Sequence, residues 1–175
     1  MFEERRIHRS PEELREKFTR LGVDDIEFQI EDELDESSNP RLAPLVMFHR
    51  LWEAVVRKGD TSWIDGYIEH FEARQKLSGL AACLWQENDA FLNGLRAVKA
   101  SGIDLNHITA IVRQMQDDVL NHLAWTLSDS RSGDELFRDV NWGLFETDED
   151  GNPLRQMNVL HYYYPIVEPD ADKNG

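Results

Sequence analysis

The chain has 175 residues, 41% of them hydrophobic, with five Trp and eight Phe, which is enough apolar material for one domain with a packed interior. Its 34 acidic against 19 basic residues leave a net charge of −15, which repels a phosphate backbone, and no compact basic stripe counters it, so direct nucleic-acid binding is excluded. No run approaches the roughly 20 apolar residues needed to cross a bilayer, and the opening "MFEERRIHRSPEEL" lacks the apolar centre of a secretion signal. The expectation is a cytoplasmic protein of one domain, 1–175, with loose ends at 1–9 and 168–175.

The single cysteine, Cys83, has no partner for an intramolecular disulfide and lies in the apolar run "GLAACLW", where it reads as a small buried hydrophobe. No Gly-rich phosphate loop, nucleophile elbow or CxxC pair is present, so serine and cysteine catalysis lack a starting motif. An enzyme is therefore not the expectation. No cofactor is specified.

"SPEELREKFTRLG", residues 10–22, predicts a helix with Ser10 as N-cap, Pro11 at the first helical position, Glu13 closing a capping box and Gly22 as the stop. Leu14, Phe18 and Leu21 form its narrow apolar stripe. The next stretch, "DDIEFQIEDELDE", holds eight acids and no base, and the alternation of Ile26, Phe28 and Ile30 predicts a short strand. Such a segment also reads as an acidic docking element that presents those three side chains to a basic partner. "SSNP" then marks a turn.

A helix is expected over 44–58, ended by Gly59, with Leu45, Phe48, His49, Trp52, Val55 and Val56 on one broad face and Leu51 outside it. "DTSWIDGYIEHFEARQ" follows as a second core helix with the stripe Trp63, Ile64, Tyr67, Ile68 and Phe71, weakened by Gly66. Residues 77–102 read as one long or two shorter helices ending at Gly102. Asp104 then caps the strongest helix of the chain, whose positions Leu105, Ile108, Ile111, Val112, Met115, Val119, Leu123 and Trp125 or Thr126 predict a core-facing stripe over about six turns.

Past residue 130 the pattern changes. Asp150, Gly151, Asn152 and Pro153 separate two short runs, as in a β-hairpin. "TDEDGNP" has the look of a calcium loop, but Met157 stands where a bidentate Glu is needed, so it reads as a turn. The fold expectation is a mainly α-helical protein, an antiparallel bundle of four to five helices with a short C-terminal hairpin.

Two constellations bear on function. His49 with Glu53, and Asp118 with His122, are each four apart and so share a helix side; if their helices are neighbours, the four converge on an interior metal or small-ligand site. A buried neutral histidine, satisfied by a hydrogen bond to one carboxylate or carbonyl, meets the same facts for His49. The run Tyr162, Tyr163, Tyr164 either closes one end of the core or presents an aromatic anchor. The leading expectation is a non-enzymatic protein that binds another, basic, protein through Ile26, Phe28, Ile30 and the tyrosine run, as an adaptor, regulator or immunity-type inhibitor. The alternatives are the His49, Glu53, Asp118 and His122 ligand site, and a homodimer that completes a shared core.

Overall fold

The computed structural model describes residues 9–35, 37–75, 89–129 and 142–169. Within them the chain is mainly helical: α1 (Pro11–Leu21), α2 (Ile26–Leu34), α3 (Leu42–Trp52), α4 (Ser62–Gln75), α5 (Asp89–Ala100) and α6 (Leu105–Ser128) precede strands β1 (Leu144–Thr147) and β2 (Pro153–Met157) and a 3-10 turn at Leu160–Tyr162. No helix among the described residues is long and apolar enough to cross a membrane. Cys83, the first half of the 77–102 segment and the terminal stretches 1–8 and 170–175 lie outside the described residues.

Contacts gather the chain into two compact units, one of Met1–Val55 with Asp117–Gly175 and one of Val56–Gln116. In the first, α1 packs on α2 and α3. The Ser10 and Glu13 capping box forms in both directions, and Gly22 closes α1 in the left-handed conformation with its N–H on the carbonyls of Phe18 and Thr19. Ser10→Ala should lower stability by about 1 kcal/mol, read as a shift of the chemical-denaturation midpoint at unchanged slope.

The strand expected at 26–30 is a helix. Gln29, Ile30 and Glu33 are its buried residues, a spacing of one and four that only a helix brings to one face. The alternation of Ile26, Phe28 and Ile30 misleads because Ile26 and Ile30 are also four apart, one helical turn. Phe28 is the member left outside.

Helix α3 stops at Trp52, short of the expected Lys58, because Ala54 and Val55 turn their N–H groups back onto the carbonyls of Leu51 and Trp52, tightening the chain. Leu45, Phe48, Trp52 and Val55 join Leu14, Phe18, Ile30, Leu120, Ala124, Leu160, Tyr163 and Val167 in the core of this unit. Trp52 donates its Nε1–H to the carbonyl of Tyr164 at 2.7 Å and stacks on that ring.

Helix α6 has the expected extent but not the expected buried face. Thr109, Leu120 and Ala124 are its buried residues, while Ile111, Met115 and Val119 stand exposed. Two of these, the polar Thr109 and the small Ala124, are side chains that a hydrophobicity pattern does not register.

In the second unit, α4 and α5 pack together around Ile64, Leu92 and Leu95. Tyr67, Phe71 and Phe91 form an aromatic cluster between them, flanked by the ion pairs Asp65–Lys99 and Glu72–Arg96. Trp63 donates its indole N–H to Thr109 Oγ1 at 3.0 Å, and the main chain of Val56 is held by Gln116 and Arg113.

The hairpin forms as expected. β1 and β2 pair antiparallel, with Leu144 opposite Met157 and Phe145 opposite Gln156. Asp148 Oδ1 accepts the N–H groups of Asp150 and Asn152, and Gly151 takes a positive φ of 82°. The side chain of Asp148 is thus occupied in shaping the turn.

Candidate binding cleft

The C-terminal segment returns from the hairpin onto the first unit. Leu160 donates its N–H to Ser128 Oγ at 2.7 Å, and Ser128 donates its hydroxyl proton to the carbonyl of Ala124, which pins the 3-10 turn to the end of α6. The turn begins at Val159, a β-branched residue at φ 50°. That conformation costs of order 1–3 kcal/mol and is sustained by the packing of Leu160 and Tyr163 beneath it.

The three tyrosines then part ways. Tyr163 is buried in the core, Tyr164 is half-buried on Trp52, and Tyr162 is 64% exposed. Only the first of the run is free to meet a partner. Of Ile26, Phe28 and Ile30 in the acidic segment, Ile30 is core and Ile26 packs against it, so neither presents itself, whereas Phe28 is 54% exposed.

Phe28 and Tyr162, the two that remain exposed, stand in the wall of one cleft of about 670 Å³. Gln29, Asp32, Ser38, Arg41, Val159 and Tyr163 share its lining. The Arg41 guanidinium sits over the rings of Phe28 and Tyr163, 5.4 and 5.5 Å from their centres, and pairs with the carboxylate of Asp32. Ser38 donates to Asp32 at 2.9 Å, and Ser37 donates to Asp35. Gln29 is 93% enclosed, from a relative exposure of 7%, and its Oε1 has no hydrogen-bond partner.

On its other side Tyr162 leans on His161, whose ring lies flat on Trp125 at 3.7 Å between centres. Trp125 and Trp142 are both exposed, and Trp142 donates its indole N–H to the carbonyl of Thr126. Exposed aromatic surface thus continues from the cleft.

Burial raises the phenol of Tyr163 above its ordinary pKa of 10.0, with Arg41 pulling the other way and Asp32 and Glu33 adding to the rise. A buried phenol raised in this way leaves stability undiminished below the ordinary tyrosine value and erodes it as pH climbs beyond about 10. Tyr163→Phe should therefore flatten the alkaline limb of a stability-against-pH curve. A limb unchanged by the substitution would assign the alkaline loss to other groups.

Glu33, next in sequence to the cleft-lining Asp32, belongs to a charge network that no pattern in the sequence announces. Glu33 and Glu146, 5% and 6% exposed, face Arg9 and Arg155. Arg9 donates to Glu33 at 3.0 Å and to Glu146 at 2.8 Å; Arg155 donates to Glu146 at 2.9 and 3.0 Å, pairs with Glu33 Oε1 and reaches the Glu33 carbonyl at 3.1 Å. Desolvation works against the charge of Arg155, but Glu33 and Glu146 outweigh it and its pKa is raised.

The second oxygen of Glu33 accepts the N–H groups of Arg41 and Leu42 at 2.6 and 3.0 Å. Helix α3 has no side-chain cap of its own, so the carboxylate of the preceding helix supplies one. One buried residue therefore ties the segment before α1, the start of α3 and the hairpin together.

The histidine and carboxylate constellation has a different setting. His49 is half-buried on α3, and Glu53, Asp118 and His122 are exposed, so the four do not form an interior cluster. Among the described residues no group of three His, Cys, Asp or Glu side chains is placed to hold a metal ion. His49→Leu should change folding stability by less than about 1 kcal/mol, measured by denaturant titration.

No family model, no curated protein and no solved structure matches this chain.

Proposed function

We propose that this protein acts by binding another protein, and that the cleft bounded by Phe28 and Tyr162 is where a basic partner docks. The observation that carries the reading is the meeting of two large exposed aromatic rings, from opposite ends of the chain, at one cleft whose wall also holds an unpartnered buried acceptor. Exposed aromatic side chains beside a pocket are the commonest anchors of protein interfaces.

The partner's charge follows from the surroundings. The stretch whose Phe28, Gln29 and Asp32 line the cleft is acidic in sequence, with eight acids and no base over 24–36, and the whole chain carries −15, so a basic surface is drawn in and an acidic one is repelled. Adaptors, regulators and inhibitors of basic effectors all work through such a face. A cytoplasmic setting suits a chain with one cysteine, which has no disulfide to gain from an oxidising compartment.

The test is capture from extracts of the host on immobilised protein, comparing the native chain with the Phe28→Ser, Tyr162→Ser double variant. The expected result is a basic protein held by the native chain and lost by the variant, with both forms melting at the same temperature. If every captured protein is retained by the double variant, the docking face is elsewhere and the proposal fails.

A further inference from the structure

We infer that a second copy of this chain docks on the outer face of α6, the two helices lying antiparallel about a two-fold axis. The face of α6 opposite the buried Thr109, Leu120 and Ala124 carries Met115, Asp118, His122 and Trp125, all exposed. Their steps of three, four and three residues are the spacing of a seam along which one helix packs on another. Ile111 and Val119, also exposed, widen its apolar part.

The order of residues along the seam names the occupant. Turned end for end, the stripe matches itself: Met115 meets Trp125 of the second copy, Asp118 meets His122, and symmetry repeats each pair. A thioether against an indole ring is a favourable apolar contact. An imidazole offers at least one N–H whatever its charge, and a carboxylate has about four acceptor positions, so Asp118 takes the new bond beside those it makes within its own chain.

Other pairings of the same two stripes fail on charge. A parallel arrangement sets Asp118 on Asp118 and His122 on His122. Sliding the antiparallel pair by one layer sets Met115 against Asp118, or Asp118 against Asp129. Only the one register puts apolar against apolar and acceptor against donor throughout.

The seam is also held ready. The Trp125 ring lies parallel on His161 at 3.7 Å between centres, so little freedom is lost when its exposed remainder is covered. The charge of −15 on each copy opposes approach at long range, but physiological salt screens it over about 8 Å, which leaves the contacting layers to decide. A seam of only four layers gives a reversible dimer, with a Kd of order 10 µM.

The experiment is sedimentation equilibrium of the full chain over a concentration series at physiological ionic strength. The native protein should pass from monomer to dimer as concentration rises. His122→Asp sets a carboxylate against Asp118 and should raise the dimer Kd about tenfold or more, whereas His122→Lys should tighten the dimer. The double variant Asp118→Lys, His122→Lys should be monomeric alone and should form a mixed dimer with the His122→Asp chain, which also shows that both chains are folded.

A native chain that stays monomeric at about 100 µM, roughly tenfold above the expected Kd, overturns the inference. So does a dimer that His122→Asp leaves intact, or a failure of the two variants to pair. Weakening by His122→Lys as large as that by His122→Asp overturns the antiparallel seam, since a parallel one sets lysine on lysine.

Discussion

Glu33→Ala is expected to lower the folding free energy by about 3–5 kcal/mol, a large part of the whole stability of an ordinary domain. The substitution leaves the half-buried Arg9 and Arg155 with Glu146 alone to answer two positive charges, and it strips the cap from the first N–H groups of α3. Breaking one partner out of a buried network is costly because the remaining charge has lost both its water and its counter-charge. Glu33→Gln should recover little, since the amide places donor hydrogens against the donors of Arg155.

Removing the opposite partner isolates the coupling. In a double-mutant cycle of Glu33→Ala with Arg155→Ala, the combined loss should fall short of the sum of the two single losses by more than 1 kcal/mol, about the lower half of the range for residues sharing a network. Equilibrium denaturation at low and high salt checks the setting, because a pair this enclosed is screened far less than a surface pair. A single-variant loss below about 1 kcal/mol would mean that the network is only tolerated, and that α3 is capped adequately by water.

The second large effect falls on binding. Phe28→Ala and Tyr162→Ala should each weaken the captured partner by about 2 kcal/mol or more, roughly a thirtyfold rise in Kd, through faster dissociation. Their effect on stability should be small, since both rings already face solvent; Phe28 also gives up its contact with Arg41, a term of about 0.5–1 kcal/mol. Ile103→Ser, at an exposed position in the other unit, serves as the comparison that should leave Kd unchanged. A Kd insensitive to both aromatic substitutions would remove the cleft from the interface.

Local chemistry made several elements legible. Ser10, Pro11, Glu13 and Gly22 define α1 by themselves, because caps and stops act within a few residues of where they are written. The same holds for the hairpin, whose turn is built by Asp148, Gly151 and Asn152 using only their own neighbours, and for the extent of α6 between its Asp104 cap and Ser128. The candidate site was half legible: Phe28 and Tyr162 stand out in composition, but so do Ile26, Ile30, Tyr163 and Tyr164, which the fold uses elsewhere.

What the sequence determined by itself is therefore the short-range part of this protein: its helical character, its caps, its hairpin and its strongly acidic charge. Only the tertiary structure decided that 26–34 is a helix, that Glu33 and Glu146 are interior, that α6 buries Thr109 and Ala124 in place of Ile111 and Met115, and that Phe28 and Tyr162 line one cleft. Each of those outcomes depends on partners more than a hundred residues distant or on neighbouring helices. A carboxylate reads as solvated until two arginines from remote segments enclose it, and a period of two cannot be told from a period of four until something packs against one face.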